Sequence, residues 1–212
     1  MLSAELPGPL TEKQSEYVTD ISYSASLLHS LVDNLLDLAT VDAGIMELDL
    51  EEIDIRATVH SAASALTAQL KEKDLHLDID ISTSGETVVA DQHRVQQVLS
   101  NLLTNAIRFT PEKGEIKISS EFTPDAVMIK VHDSGNGIPE DEQDSIFDRF
   151  ESKTNSGGRG GAGLGLAIAR SLMELHGGTI ALDTSVDRGA CFVCTLPRRP
   201  AIENQPVVQA AE

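Results

Sequence analysis

Residues 91–111 read DQHRVQQVLSNLLTNAIRFTP, and the interpretation of the whole chain depends on this segment. Its apolar residues recur on one side of a helix, and Gln97, Asn101, Asn105 and Arg108 recur on the other side. Asparagine is a poor helix former, so a pair at this spacing carries a cost in helix propensity. Amide oxygens suit a hard cation such as Mg²⁺, and arginine suits phosphate. A solvated polar face is the alternative interpretation.

The periodicity of the flanking sequence changes several times between that of a helix and that of a strand. Helices are predicted over residues 11–43, 55–73, 91–108, 140–150 and 164–176, and strands over 75–81, 115–121, 127–132, 179–184 and 190–196. A period of two also begins at Met46. Helices mixed with strands that are mostly joined as hairpins predict an α+β fold, a two-layer α/β sandwich with helices on one face of the sheet.

The first predicted helix follows Thr11-Glu12-Lys13-Gln14, which has the spacing of a capping box. Its apolar stripe consists of Val18, Ile21, Ala25, Leu28, Val32, Leu35 and Ala39, widened by Leu31 and Leu38. One helix cannot bury such a stripe alone, so we expect a partner helix from this chain or from another. The predicted divisions are a partial helical region at 1–48, a second domain at 49–198 and a flexible tail at 199–212.

Two glycine-rich segments lie beside predicted elements. The stretch Asp133-Ser134-Gly135-Asn136-Gly137 follows a strand directly, where a carboxylate can accept a hydrogen bond while the glycine backbone approaches a flat ligand closely. An Asp-Gly turn is the alternative interpretation. Residues 157–165 contain six glycines and lead into a helix whose N-terminal amides suit an anion. The GxGxxG match in this stretch is weak evidence, because a dinucleotide-binding fold needs a strand before it.

Composition excludes several classes of function. Sixteen Lys and Arg against 34 Asp and Glu give a net charge of −18 over 212 residues, which disfavours nucleic acid and anionic membrane surfaces. No apolar run approaches the roughly 18 residues that a membrane span requires. Cys191 and Cys194 would point to opposite faces of a strand, as expected for ordinary packing in a reducing cytoplasm. We therefore predict a cytoplasmic protein with no nucleic-acid partner and no direct membrane insertion.

Four segments, taken in order, resemble the signature boxes of sensor histidine kinases of two-component systems. Residues 101–111 resemble the N box, and residues 133–137 resemble the G1 box. Residues 146–150 are similar to the F box, and residues 161–166 are similar to the G2 box. The resemblance covers about residues 10–197. It implies a histidine-kinase-type ATPase fold with a mixed sheet, preceded by a long bundle-forming helix.

The resemblance also implies a site for ATP and Mg²⁺. Asn105 would hold the metal ion, Asp133 would accept from the adenine amino group, and Phe109 would line the adenine pocket. The glycines of the last box would form the hinge of a mobile lid over the nucleotide. The residues implied to bind nucleotide are Asn101, Asn105, Arg108, Phe109, Asp133, Gly135, Gly137, Ile138, Gly161, Gly163, Leu164, Gly165 and Leu166, and the candidate phosphate contacts are Arg108, Lys153 and Arg159.

The sequence departs from the family pattern at three places. None of the six histidines has the context of a phosphoacceptor, and residues 1–10 resemble the end of a missing acceptor helix. His176, for example, is placed at a helix C-terminus, where the helix dipole favours a cation. Lys153 stands near the position after the F box where many relatives have arginine, and Arg108 replaces the usual lysine.

The function implied is that of the ATP-binding catalytic region of a sensor histidine kinase. Such a phosphotransferase passes the γ-phosphate of ATP to an acceptor, normally histidine, for relay to a response regulator. The resemblance implies a homodimer through helix 11–43 when the full helical hairpin is present. A catalytically silent nucleotide-binding scaffold that regulates a kinase or a response regulator is one alternative. An ATPase of another branch of the superfamily, such as a chaperone-like clamp, is the other.

Overall fold

The computed structural model of the chain describes residues 8, 10–81, 87–150 and 163–199. The elements in chain order are α1 (Glu12–Asp42), β1 (Glu51–Asp54), α2 (Ile55–Ala65), α3 (Thr67–Glu72), β2 (His76–Ile81), β3 (Thr87–Ala90), α4 (Gln92–Phe109), β4 (Glu115–Phe122), β5 (Ala126–Asp133), α5 (Gly165–Leu175), β6 (Thr179–Leu182) and β7 (Ala190–Pro197). A 3₁₀ turn lies at Glu140–Glu142.

Five strands form a mixed sheet in the order β2-β4-β5-β7-β6. The β2–β4 pair is parallel, and the other three pairs are antiparallel. Strands β1 and β3 form a separate antiparallel ribbon, in which Glu51 pairs with Ala90. The α+β fold with a mixed sheet and helices is therefore confirmed, and the ribbon is an addition that the sequence did not predict.

The core lies between the sheet and the helices α2, α4 and α5. Alternate residues of the central strands point inward, so that Ile118 and Ile129 are fully buried while Lys117 is half exposed. Leu102 of α4 and Leu172 of α5 complete this layer from the helical side. Full burial of a side chain of this size contributes about 1.5–3 kcal/mol, so this aliphatic layer fixes the positions of both helices against the sheet.

Helix α1 begins with the predicted capping box, in which Thr11 and Gln14 bond each other's backbone N–H groups. Its apolar stripe is open, since Ile21 is 66% exposed and Leu28 is 62% exposed. Among the described side chains of α1, Leu31 and Leu38 of its C-terminal part pack on the core, and Leu38 is 4% exposed. The stripe is therefore left uncovered by the part of the chain that the structure describes.

Hydrogen bonds fasten the same end of α1 to the rest of the molecule. Asp37 accepts from Arg94 at 2.9 Å and from Gln97 at 2.6 Å. The two carboxylate oxygens of Asp42 each accept a hydrogen bond from one terminal nitrogen of Arg149, both at 2.6 Å, in a bidentate geometry. These contacts set the direction in which α1 leaves the sheet and its helices.

Two predicted elements are wrong in detail. The helix predicted over 55–73 is broken at Leu66 into two helices. The hydroxyl of the next residue, Thr67, donates to the Ser64 carbonyl and competes with the backbone hydrogen bonds of a continuous helix. The helix predicted over 140–150 is a 3₁₀ turn followed by further turns, because its amides bond carbonyls three residues back, as Ser145 bonds Glu142.

The period of two that begins at Met46 lies before the first strand. The ladder of β1 starts only at Glu51, because the Asp49 amide donates to the Asp91 carboxylate at 3.1 Å instead of to a strand. The alternation in the preceding residues therefore belongs to an extended connection and not to a strand.

The two cysteines are free and buried, as predicted for strand packing. Cys194 pairs with Ile129 on the inner face of the sheet, and Cys191 pairs with His132 on the other face. Burial raises the pKa of the Cys194 thiol to about 12. Among the described residues, no helix is both long enough and apolar enough to cross a membrane.

Candidate functional site

Helix α4 carries most of the predicted site, and side chains fix both of its ends. Asp91 caps the N-terminus by accepting from the Arg94 amide at 3.0 Å. At the C-terminus, the amide and the hydroxyl of Thr110 both donate to the Ala106 carbonyl, at 2.9 and 2.6 Å. Pro111 follows and disfavours further helix. The polar face of α4 is thereby held in a fixed register.

Asn101 lies at the centre of this face and has an unusual environment. Its Nδ2 atom is buried and has no hydrogen-bond partner among the described residues. A Cβ atom placed on Gly165, the first residue of α5, would lie 3.7 Å from the Asn101 amide. A buried donor left unpaired costs about 1–3 kcal/mol, and such groups often indicate a ligand site. The atom suits a ligand that brings acceptor oxygens to the start of α5.

Asp133 ends β5 and is 4% exposed. Its Oδ1 accepts from the Gly135 amide at 2.8 Å. Burial raises the pKa of Asp133, and the hydrogen bonds from the Gly135 and Ala190 backbones lower it by less. A buried carboxylate held by a neighbouring amide is well placed to accept a hydrogen bond from a polar ligand.

Gly135 lies against the end of α4. A Cβ atom there would approach the Phe109 carbonyl oxygen and the Asp133 Oδ1 atom to 2.7 Å each, which is closer than real side chains come. The structure therefore brings together Phe109, Asp133 and Gly135, which the family resemblance implies to share one site. Only glycine permits this close approach of the loop to the helix.

Gly189 is a site-supporting residue that the sequence analysis missed. Its φ is +75°, and a Cβ atom there would lie 1.6 Å from the Asp133 carbonyl oxygen. Gly137 has a φ of +74°, and a Cβ atom there would lie 3.0 Å from the Gly189 carbonyl oxygen. The turn signal in Asp187-Arg188-Gly189 could have indicated that Gly189 lies in a turn. The proximity of Gly189 to Asp133, by contrast, depends on the pairing of β5 with β7.

Two exposed aromatic residues flank the site. Phe109 is 53% exposed, and the Arg108 guanidinium lies 5.0 Å from the centre of its ring. Phe150 is 67% exposed, and its amide donates to the Gly163 carbonyl at 3.0 Å. Phe150 is therefore bonded to a residue that lies just before the start of α5.

The other predicted residues divide into three groups. Asn105 is half-buried on the same face of α4 as Asn101. Ile138 and Leu166 pack their side chains against the core, and Leu164 is fully buried, so its side chain is part of the core. The last group, which lies outside the described residues, consists of Gly161, Lys153 and Arg159.

His176 caps the C-terminus of α5 and Gln97 lies on α4, as predicted, but the partners of their side chains were not predicted. His176 is buried, donates from Nδ1 to the Leu172 carbonyl at 2.7 Å and accepts the Asp91 amide at Nε2. Burial lowers the pKa of His176, and the hydrogen bond to Leu172 and the negative charge of Asp91 raise it by less. Gln97 donates to Asp37 of α1 at 2.6 Å and accepts from Arg94 of its own helix at 3.1 Å, so it joins α4 to α1.

Comparison with known proteins identifies the family. Residues 90–200 match the family described as histidine kinase-, DNA gyrase B-, and HSP90-like ATPase. The chain belongs to this ATPase family. The match begins at the last residue of β3 and takes in α4, the loop after β5, and α5, so it contains all the site residues described above.

The relatives narrow the assignment within the family. The circadian input-output histidine kinase CikA of Synechococcus elongatus is 35% identical over 94% of this chain and 28% of CikA. Sensor protein DivL of Caulobacter vibrioides is 33% identical over 89% of this chain and 24% of DivL. The chain thus spans about a quarter of the length of the curated relatives it matches.

Solved structures agree with this assignment. Full-length ShkA in complex with AMPPNP has a TM-score of 0.77 at 32% identity, over 90% of this chain and 40% of ShkA. Histidine kinase ThkA in complex with the response regulator protein TrrA has a TM-score of 0.71 at 27% identity, over 94% of this chain and 55% of that chain. Together these findings confirm the catalytic ATP-binding domain of a sensor histidine kinase and its ATPase fold.

Proposed function

We propose that this chain binds Mg-ATP between α4, the loop after β5 and the start of α5, and transfers the γ-phosphate to an acceptor side chain, normally histidine, for relay to a response regulator. The observation that carries the proposal is the buried Asn101 amide nitrogen, which lacks a partner within the described residues and lies next to Gly165. A phosphate oxygen would satisfy this donor, and the α5 N-terminus would attract the negative charge.

Each side chain then has a role that its surroundings support. Asp133 would accept from the adenine amino group, since it is buried and held by the Gly135 amide. Phe109 would pack against the base, and Arg108 beside it would contact phosphate. Asn105 would contribute its side-chain oxygen to Mg²⁺.

The metal ion fits as part of the nucleotide complex. Within the described residues, no cluster of three His, Cys, Asp or Glu side chains could hold a cation by itself. Mg²⁺ commonly keeps water and phosphate ligands and takes few from the protein, and when bound it neutralises charge on the phosphates. Gly161, Gly163 and Gly165 would form the hinge of the lid, from which Lys153 or Arg159 would reach the phosphates.

The partners follow from α1 and from the relatives. The open stripe that includes Ile21 and Leu28 supports a homodimer through helix 11–43 once the full helical hairpin is present. ThkA in complex with a response regulator protein supports a partner of the same class for this chain. We further propose a cytoplasmic location and the division into residues 1–48, 49–198 and 199–212.

Calorimetric titration with Mg-ATP tests the site. We expect binding by the unmodified chain, and Asp133→Asn and Asn105→Ala should each weaken it by at least about tenfold, equivalent to about 1.4 kcal/mol. Asp80→Asn and Asn34→Ala are matched controls, because Asp80 is an exposed residue of the edge strand β2 and Asn34 lies on α1. Unchanged affinity in both site variants would contradict the assignment of the pocket.

Radiolabelled ATP tests the reaction. The chain is incubated with an intact acceptor domain, and we expect label to appear on that domain because phosphoryl transfer depends on positioning and charge neutralisation. Bound ATP without transfer would instead support the silent scaffold. Steady release of phosphate with no acceptor present would support an ATPase of another branch.

A further inference from the structure

Lys73 lies at the C-terminal cap of α3, far from the predicted boxes in sequence. Its ammonium group donates to the carbonyl oxygens of Ile107, Arg108 and Thr110, at 2.8, 2.9 and 3.0 Å. Its own carbonyl oxygen accepts from the Lys113 amide at 3.1 Å. Lys73 is therefore attached by its side chain and by its backbone to the corner between α4 and β4.

The contact needs a cation with several hydrogen-bond donors, and an ammonium group is one. The last carbonyls of a helix have no partners within the helix and carry its partial negative charge. Lysine offers three donors and a full positive charge, and here all three donors meet carbonyls at the end of α4. The contact thus neutralises this helix end and fixes the direction of each carbonyl.

The corner that Lys73 holds is one wall of the candidate site. The bonded carbonyls of Arg108 and Thr110 enclose Phe109, whose own carbonyl oxygen lies against Gly135. The Gly135 amide in turn donates to Asp133. A continuous series of contacts therefore runs from the Lys73 ammonium to the buried carboxylate.

We propose that Lys73 is a positioning residue of the nucleotide site, which fixes the separation between the end of α4 and the loop after β5. The inference rests on the proposed function, because that separation matters only if a ligand bridges Asn105 and Arg108 on one side and Asp133 on the other. Removal of the ammonium frees the last carbonyls of α4 and lets the Phe109 backbone move away from Gly135.

Three variants test the proposal. Lys73→Met keeps most of the aliphatic stem and removes the charge, and we expect its affinity for Mg-ATP to fall by about tenfold. Lys73→Arg restores a cation with several donors and should recover affinity to within about threefold of the unmodified chain. Lys71→Met is the matched control, since Lys71 is an exposed residue of the same helix, and its affinity should stay within about twofold.

Amide NMR spectra without nucleotide give an independent measurement. The Gly135 and Thr110 amide resonances should shift in Lys73→Met and keep their positions in Lys71→Met. If the unmodified chain binds no Mg-ATP, the proposed function fails, while these shifts still test whether Lys73 positions the loop. Unchanged affinity together with unchanged Gly135 resonances in a folded Lys73→Met protein would overturn the inference.

Urea unfolding separates positioning from stability. Affinities are compared only under conditions in which each variant is more than about 95% folded. A variant that is less stable than the unmodified chain but binds Mg-ATP with the same affinity counts against the proposal. If Lys73→Met does not fold, Lys73→Gln replaces it, because its amide keeps a neutral donor for one carbonyl. We then expect about threefold weaker binding, and affinity equal to that of the unmodified chain would overturn the proposal.

Discussion

Substitution of Gly135 by alanine should disrupt the contact between the loop after β5 and the end of α4. The new Cβ atom would lie 2.7 Å from the Phe109 carbonyl oxygen, 3.2 Å from the Phe109 carbonyl carbon and 2.7 Å from Asp133 Oδ1. The Phe109 backbone cannot yield easily, because it lies between the carbonyls of Arg108 and Thr110 that Lys73 holds. The loop itself must therefore move.

The size of the effect follows from these distances. An ordinary contact between a methyl carbon and an oxygen is about 3.4 Å or longer, so the loop has to move by several tenths of an ångström. That movement lengthens the 2.8 Å bond from the Gly135 amide to Asp133. Overpacking of this kind typically costs about 1–3 kcal/mol, and we expect Gly135→Ala to lose that much free energy of unfolding.

The assay is equilibrium unfolding in urea, with Gly165→Ala as the control. A Cβ atom at Gly165 would come no nearer than 3.7 Å to Asn101, which is an ordinary contact. Its replacement should leave the free energy of unfolding unchanged or raise it by up to about 1 kcal/mol. If Gly135→Ala is as stable as the unmodified chain, the close packing of this loop on α4 is refuted.

Three further predictions concern buried and charged groups outside this contact. The pKa of His176 is lowered in the folded state, so the free energy of unfolding should be fully present above about pH 6.5 and should decline as the pH falls below it. Urea unfolding of His176→Gln should show a flatter decline with falling pH. The same decline in both proteins would contradict this. Asp42→Asn removes the ion pair with Arg149, so its small effect on stability should be seen at low salt and vanish at high salt. Because burial raises the pKa of Cys194 to about 12, the folded protein should react slowly with a thiol reagent and react fully once unfolded.

The sequence predicted those parts of the fold that follow from local periodicity. Helix α4 was predicted over 91–108 and observed over Gln92–Phe109, because its apolar face repeats without interruption. Asp133 and Gly135 were predicted as neighbours of a site because a strand ends at the first and a glycine follows it. The meeting of Phe109 with Gly135 was an implication of the family resemblance.

Features that depend on contacts between distant segments were not predicted. Strand β3 has four residues, too few for a clear period, and it exists because β1 pairs with it. The role of Gly189 depends on the antiparallel register of β5 with β7. The three bonds of Lys73 have no local signal at all, since a lysine at the end of a short helix is typical of a solvated surface.

The parallel pairing of β2 with β4 bears on how the protein acquires its binding competence. His76 pairs with Glu115, and the chain between them includes α4, so this helix is the crossover that returns the chain to the same edge of the sheet. Pairing across such a long connection forms late in folding, because the entropy of closing the loop is lost before any contact compensates for it. A nascent or partly folded chain that lacks this edge therefore cannot hold its two asparagines in place, and recognition of the nucleotide should emerge together with the completed sheet.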